Sequence, residues 1–485
     1  MRLYIEIILL FYDKNIAKES VTMIRVHNTL SNKKEEFKSQ KENFVSMYVC
    51  GVTPYDEVHL GHARVYVVFD IIKRHLLKRG YQVKHIQNFT DVDDKIIKKS
   101  QEKNIKPSEL AQIYIDNYFE QMDKLNILRA ETYPRVTQMI PQIINFIKDL
   151  ADKSFAYEVD GDVYFYVDKF KDYGKLSKRK LEDLKAGARV DVCDDKISAF
   201  DFALWKKTKE NEPQEVAWDS PWGKGRPGWH IECSVMSLEL LGNTLDIHGG
   251  GQDLIFPHHE NEIAQSQVKT GKQFVKYWIH NGFVTINKEK MSKSLNNFFT
   301  LKTIFEKYNP RVVRYYLLTQ CYLSQLDFSD TGLDGAKNTL QGIDDAYLRL
   351  VSSTKEPAIE IADKDLLELQ NKFLTALDDD FNSEKALSYL HKLKNMILNE
   401  LFVANPSRLS QFRKLFEDFT EQSLGIMLPE EQKNNEDLQN LLQERNEARK
   451  NQNWAKSDTL RKLIDEKGYK IVDNKDGSYV LVKKN

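Results

Sequence analysis

The chain has 485 residues, 41% hydrophobic and 29% charged, ordinary values for a globular protein long enough for about three domains. Its net charge of -1 excludes a global basic field that would draw in nucleic acid. Any RNA contact must therefore come from local patches, such as Lys95, Lys98 and Lys99 or Arg445, Arg449 and Lys450. Four scattered cysteines, Cys50, Cys193, Cys233 and Cys321, argue against a disulfide framework and for a reducing compartment. No stretch approaches the roughly 20 apolar residues of a membrane span.

Residues 1–22 begin with a short apolar run interrupted by Glu6, and Met23-Ile24-Arg25 makes a more natural opening, so they read as an extension outside the core fold. From about 44 to 328, short β-rich runs alternate with helical stretches, the pattern of a parallel sheet with crossover helices. Residues 45–49, 83–89, 245–247 and 274–280 read as strands. A helical, charge-rich stretch from about 107 to 175 reads as an insertion reaching to about 210. Beyond 330 the sequence turns to Leu, Ala, Lys and Glu, and residues 335–425 read as a helical bundle. A polar link near 429–437 leads to helices and a hairpin-like tail that turns at Lys475-Asp476-Gly477. The expected domains are 23–330, 331–428 and 429–485.

Two short motifs stand far apart. His59-Leu60-Gly61-His62 lies between a strand and a helix, which puts two imidazoles at the positive end of a helix, where phosphates bind. Lys290-Met291-Ser292-Lys293-Ser294 on its own is usually a solvated loop, but paired with the histidines it reads as the second half of an ATP-activating site. Cys50, Cys233, His258 and Glu262 have metal-ligand chemistry. With Pro257 read at the first turn of a helix, the i, i+4 spacing places His258 and Glu262 on one face, and two thiolates, an imidazole and a carboxylate suit tetrahedral zinc. His259 is an open alternative, and inert core cysteines are the simpler explanation. The run His248-Gly249-Gly250-Gly251-Gln252-Asp253 reads as a Gly-rich turn that lets backbone approach a ligand, with Asp253 able to hold a ribose hydroxyl or an ammonium group. Asp93 and Asp94 read as a helix N-cap cluster.

Taken with Phe89-Thr90-Asp91-Val92-Asp93-Asp94-Lys95, the segment 228–234, HHENEIAQS and Asp378-Asp379-Asp380-Phe381-Asn382, these motifs resemble the cysteinyl-tRNA synthetases of class I, from about Met23 to the C-terminus. The resemblance implies an α/β fold with a Rossmann-type catalytic domain, a connective insertion, a helical bundle and a small anticodon-binding domain. It implies one zinc ion on Cys50, Cys233, His258 and Glu262, and ATP with Mg²⁺ handled by His59, His62, Lys290 and Lys293. Substrate contacts are expected from Thr90, Trp229, Asp253, Gly250 and Gly251, and anticodon contacts from Arg449, Trp454, Asp458 and Asp473. The implied reaction is activation of L-cysteine as cysteinyl-adenylate and its transfer to tRNA(Cys) by a cytoplasmic monomer. A soft thiolate binds zinc where a serine hydroxyl does not, which removes the need for editing. The competing readings are a ligase joining cysteine to an amino-sugar, which needs no anticodon module, and an inactive paralogue that only binds tRNA.

Overall fold

The computed structural model describes residues 23–179, 196–286, 289–290, 299–353, 363–401, 404–429, 436–473 and 479–483. Residues 1–22, Cys193, Met291 to Ser294 and the turn Lys475-Asp476-Gly477 lie outside them. Four parallel strands form the central sheet, in the order Val275–Asn281, Leu245–Gly251, Phe44–Val52, Gln82–Phe89. From Phe44–Val52 the chain steps first to Gln82–Phe89 on one side and later to Leu245–Gly251 on the other, so the winding reverses between the two middle strands. Ligands in open α/β sheets bind at the carboxyl ends of such strands. The middle strands are buried, as their near-continuous apolar runs require; Val45, Met47, Tyr48 and Val49 are fully enclosed.

The Gly-rich run is not a turn. Strand Leu245–Gly251 continues through all three glycines, which pair with Ile279, His280 and Asn281. A Cβ on Gly249 would lie 2.2 Å from Ile279 O and 2.3 Å from Phe69 Cζ, so glycine here lets helix Leu60–Lys78 lie directly on the sheet.

The insertion also differs from its helical reading. After helices Pro107–Lys124 and Ile140–Asp152 it forms an antiparallel sheet of Ala156–Val159, Asp162–Phe165, Phe202–Lys207 and Gly225–Pro227. Asp160 and Gly161 both have positive φ, at 49° and 89°, the two-residue turn whose twist matches antiparallel strands.

One apolar core runs from the sheet through Phe69 and Leu76 of helix Leu60–Lys78 to Phe373 and Phe419. A second lies between the sheet and the insertion, around Tyr48, Ile86, Trp205 and Trp278. Helices Asp330–Ser353, Lys364–Asp378, Ser383–Glu400 and Pro406–Glu417 form the helical region. Buried charges on helix Leu60–Lys78 tie it to its surroundings, the helical region included. Asp70 accepts from Arg74 Nε at 2.7 Å, from Leu128 N at 2.8 Å and from Arg314, while Asp378 accepts from His75 Nε2 at 2.9 Å and Arg79 Nε at 2.8 Å. Helices Glu436–Lys450 and Trp454–Glu466 and the antiparallel pair Tyr469–Asp473 and Tyr479–Lys483 close the chain.

Candidate active site

His59 is the N-cap of helix Leu60–Lys78, and the two histidines cap one another. His59 Nδ1 accepts from His62 N at 3.4 Å and His62 Nδ1 accepts from His59 N at 3.3 Å. The rings stack with centroids 3.6 Å apart. Because each Nδ1 is an acceptor, a neutral ring carries its proton on Nε2, the position from which it can donate to an incoming oxygen. Met291 to Ser294 are not described, but both flanks of the segment are. Lys290 follows Glu289 in a strand that pairs with Val284–Ile286. On the other side, Leu301 N donates to Val58 O at 2.9 Å and Leu60 N to Phe299 O at 3.3 Å, which seats residues 299–301 against the histidine turn.

At the winding reversal, Cys50, Cys233, His258 and Glu262 converge, with ligand atoms within 4.8 Å of one another. The sulfurs are 3.9 Å apart, Cys50 Sγ is 3.7 Å from Glu262 Oε1, and His258 Nε2 is 3.0 Å from the same oxygen. Tetrahedral zinc with Zn–S bonds of about 2.3 Å puts two sulfurs about 3.8 Å apart. All four side chains are buried. Burial pushes the Cys50 thiol and the Glu262 carboxyl well up, whereas the hydrogen bond with Cys50 brings Cys233 down to about 7. Glu262 Oε2 has no hydrogen-bond partner, and among the described residues the ion-pair contacts of Glu262 are all with histidines. Three buried acidic groups with no lysine or arginine partner among the described residues suit a divalent cation.

Pro257, however, is not at the first turn of the helix. Helix Glu260–Thr270 begins three residues later, and a wide turn, Ile255–His259, brings His258 round to Glu262. That turn also swings His259 inward. Cys50, His248, His259 and Glu262 make a second set of the same size, with Cys50 Sγ 3.2 Å from His259 Nε2 and 3.5 Å from His248 Nε2. Burial pushes both imidazoles well down, which favours their neutral form. His259 Nδ1 lies 2.7 Å from His280 Nε2, whose own Nδ1 is 2.8 Å from Thr29 Oγ1.

Of the expected substrate residues, Trp229 lies against this cluster. Trp229 opens helix Trp229–Leu241, is 40% exposed and lies over the His258 ring at 4.4 Å. Thr90 Oγ1 donates to buried Glu232 at 2.9 Å. Asp253 folds back over Gly251, where a Cβ would meet its Oδ1 at 2.4 Å, and Leu254 lies similarly close to Gly250. Asp93 caps helix Asp94–Lys103 by accepting from Lys95 N, but Asp94 instead pairs with Lys206 and Arg226. Sequence reasoning passed over Asn88, whose Oδ1 accepts from Gly51 N at 2.9 Å beside Cys50 and lies 3.7 Å from Cys233 Sγ. No local motif marks it; only tertiary packing brings both thiol segments to its side chain.

Arg449, Trp454, Asp458 and Asp473 gather on the C-terminal unit instead. Asp473 Oδ2 accepts from Arg445 at 2.6 Å, Arg461 at 3.0 Å and Arg449 at 3.1 Å. Trp454 is 59% exposed, so it is no part of the core of this unit. Asp458, one turn on, is exposed too.

The fold is that of a class I tRNA synthetase: residues 36–338 match the family described as tRNA synthetases class I (C) catalytic domain, and residues 372–428 match the DALR domain. A cysteine--tRNA ligase of Endomicrobium trichonymphae is 77% identical over 95% of this chain and 99% of its own length, and one of Clostridioides difficile (strain 630) is 46% identical over 94% and 99%. The chain belongs to the cysteine--tRNA ligase family. Among solved structures, the Agrobacterium radiobacter K84 agnB2 LeuRS (TM-score 0.58, 12% identity, 80% of this chain and 84% of that one) and the Mycobacterium tuberculosis methionyl-tRNA synthetase with methionyl-adenylate (0.56, 15%, 78% and 89%) share the fold. The two cysteine--tRNA ligases, matched over nearly their whole length, favour tRNA charging over the amino-sugar reading. No helix among the described residues is long and apolar enough to cross a membrane.

Proposed function

We propose that the chain activates L-cysteine with ATP and transfers the cysteinyl group to tRNA(Cys). The observation that carries the reading is the convergence of two thiols, an imidazole and a carboxylate at the winding reversal, on the sheet whose neighbouring helix is capped by His59 and His62. The cysteine carboxylate attacks the α-phosphorus of ATP, the bond to the bridging oxygen breaks, and pyrophosphate leaves. A terminal ribose hydroxyl of the tRNA then attacks the acyl carbon and AMP leaves. No side-chain nucleophile is needed, so catalysis is positioning and charge stabilisation. His59 and His62 donate from Nε2 to phosphate oxygens, Lys290 and Lys293 counter the charge that develops as the bond breaks, and Mg²⁺ accompanies ATP.

Cys50, Cys233, His258 and Glu262 would hold zinc, which when bound supplies a soft Lewis acid for the substrate thiolate that a serine hydroxyl cannot match. Two sulfurs favour this set over the one with His248 and His259, which then support it from behind. Thr90, Trp229 and Asp253 line the amino-acid and adenylate side, with Gly250 and Gly251 allowing close approach. Trp454 offers a stacking face to an anticodon base, and Arg449, Asp458 and Asp473 offer hydrogen bonds to base edges. The chain is read as a cytoplasmic monomer.

Pyrophosphate exchange dependent on cysteine and silent with serine, together with charging of transcribed tRNA(Cys), is the expected result. Exchange with no charging refutes the transfer step, and no exchange refutes the enzyme. Lys293→Ala should lower exchange by at least about a hundredfold, the scale of losing one transition-state donor.

A further inference from the structure

Arg64 lies two residues beyond His62 on the same helix, and only 1% of its surface is exposed. Among the described residues it makes no ion pair with a carboxylate. Its partners are backbone carbonyls: Nη1 donates to Phe283 O at 2.6 Å, and Nη2 donates to Ser324 O and, at 3.3 Å, to Cys321 O. Its Nε has no hydrogen-bond partner among the described residues. Burying a cation on such terms is costly, and an apolar side chain would fill the space without that cost.

The three carbonyls have one thing in common. Phe283 directly precedes strand Val284–Ile286, and Cys321 and Ser324 lie in the loop that enters strand Leu326–Phe328. These two strands pair in parallel, and Val284–Ile286 pairs on its other edge with Glu289–Lys290. Phe283 O also accepts from Leu326 N at 2.9 Å, and a Cβ on Gly282 would meet Ser324 O at 2.4 Å, so the two chain segments touch where the guanidinium holds them. A planar fork with five donors can span three carbonyls; the ammonium of a lysine cannot.

We propose that Arg64 is a positioning residue for adenylate formation. By gripping the entrances of both strands, it fixes the small sheet that carries Lys290 against the turn that carries His59 and His62. It touches no substrate and acts through Lys290, and so rests on the reading of Lys290 given above. The role is separate from thiol recognition, which sits on other elements.

Pyrophosphate exchange by the full-length protein tests this with Arg64→Met, Arg64→Lys, Lys290→Met and the double variant Arg64→Met/Lys290→Met. Arg64→Met should lower kcat on the order of a hundredfold, the effect of misplacing a catalytic group by about 1 Å, with KM for cysteine and metal content within about twofold of the parent. Arg64→Lys should recover part of kcat. The double variant should lose little beyond either single one, since a misplaced Lys290 has little left to lose. A soluble Arg64→Met with kcat within about threefold of the parent would overturn the proposal. So would multiplying effects in the double variant, or a cysteine KM that rises as kcat falls. If Arg64→Met does not fold, Arg64→Lys decides: reduced kcat at unchanged cysteine KM supports the role, and parental kcat overturns it. Lys290→Met with parental kcat would instead remove the reading of Lys290 on which the proposal stands.

Discussion

Gly249→Ala replaces one hydrogen with a methyl group at a crowded point of the sheet. Gly249 pairs with Val49 on one side and Ile279 on the other, so it cannot move within the sheet plane without disturbing both neighbours. Its new Cβ would lie 2.3 Å from Phe69 Cζ and 2.2 Å from Ile279 O. Ordinary contact between carbons is about 3.5 Å, so helix and strand must separate by roughly 1.2 Å, or Phe69, which is 1% exposed, must leave its rotamer. Overpacking of this kind costs about 1–3 kcal/mol. Phe69 is on the helix whose first turn holds His59 and His62, and a helix shifts as a rigid element. A displacement of about 1 Å at the histidines then predicts a loss in pyrophosphate exchange on the order of a hundredfold. Gly249→Ala/Phe69→Leu should recover part of it, because it removes one of the two clashes. Urea denaturation and exchange kinetics on the three proteins give the answer. A Gly249→Ala protein with parental stability and parental kcat would refute the packing argument.

Asp70→Asn leaves Arg74 and Arg314 facing one another in the core, and the loss of one partner from such a buried cluster should cost about 3–5 kcal/mol in chemical denaturation. Burial alone would raise the Asp70 carboxyl, but Arg74 and Arg314 hold it below the ordinary carboxylate range. Its contribution is therefore complete above the unfolded value of about 3.9 and is lost as pH falls through the lower folded value. Parental protein should show an acid-dependent loss below about pH 4 that Asp70→Asn lacks, and identical acid profiles would contradict this. Trp454→Ala should weaken tRNA(Cys) charging by about 1–3 kcal/mol in kcat/KM, the scale of one stacked base, while cysteine-dependent pyrophosphate exchange stays parental. Equal charging by the two proteins would take anticodon stacking away from Trp454.

The four sheet strands were legible because Val, Ile, Tyr and Phe cluster in short runs, and the runs at 45–49, 83–89, 245–247 and 274–280 lie within or across Phe44–Val52, Gln82–Phe89, Leu245–Gly251 and Val275–Asn281. The histidine turn was legible because its spacing coincides with a capping box. Where reading failed, tertiary contact overrode local preference. Three glycines ordinarily end a strand, but Gly249 to Gly251 extend one because Phe69, Leu254 and Asp253 occupy the space their side chains would fill. The hairpin at Asp160-Gly161 did carry a local signal, two turn residues between Ala156–Val159 and Asp162–Phe165, which the surrounding charge obscured. His248, His259 and His280 meet Cys50 only through packing of separate strands and a wide turn, so sequence spacing could not show that two ligand sets share Cys50 and Glu262. Arg64 is equally silent in sequence, since its partners are carbonyls more than 200 residues away.

Zinc-edge X-ray absorption on the purified full-length protein, free of substrate, tests thiol recognition most directly, because it counts sulfur ligands. Cys50, Cys233, His258 and Glu262 predict one zinc per chain with two sulfurs at about 2.3 Å and two nitrogen or oxygen ligands at about 2.0–2.2 Å, and one further sulfur contact when cysteine is added. A shell with a single sulfur would place the metal on Cys50, His248, His259 and Glu262 instead, and a shell that gains no sulfur with cysteine would contradict recognition of the thiol by the metal.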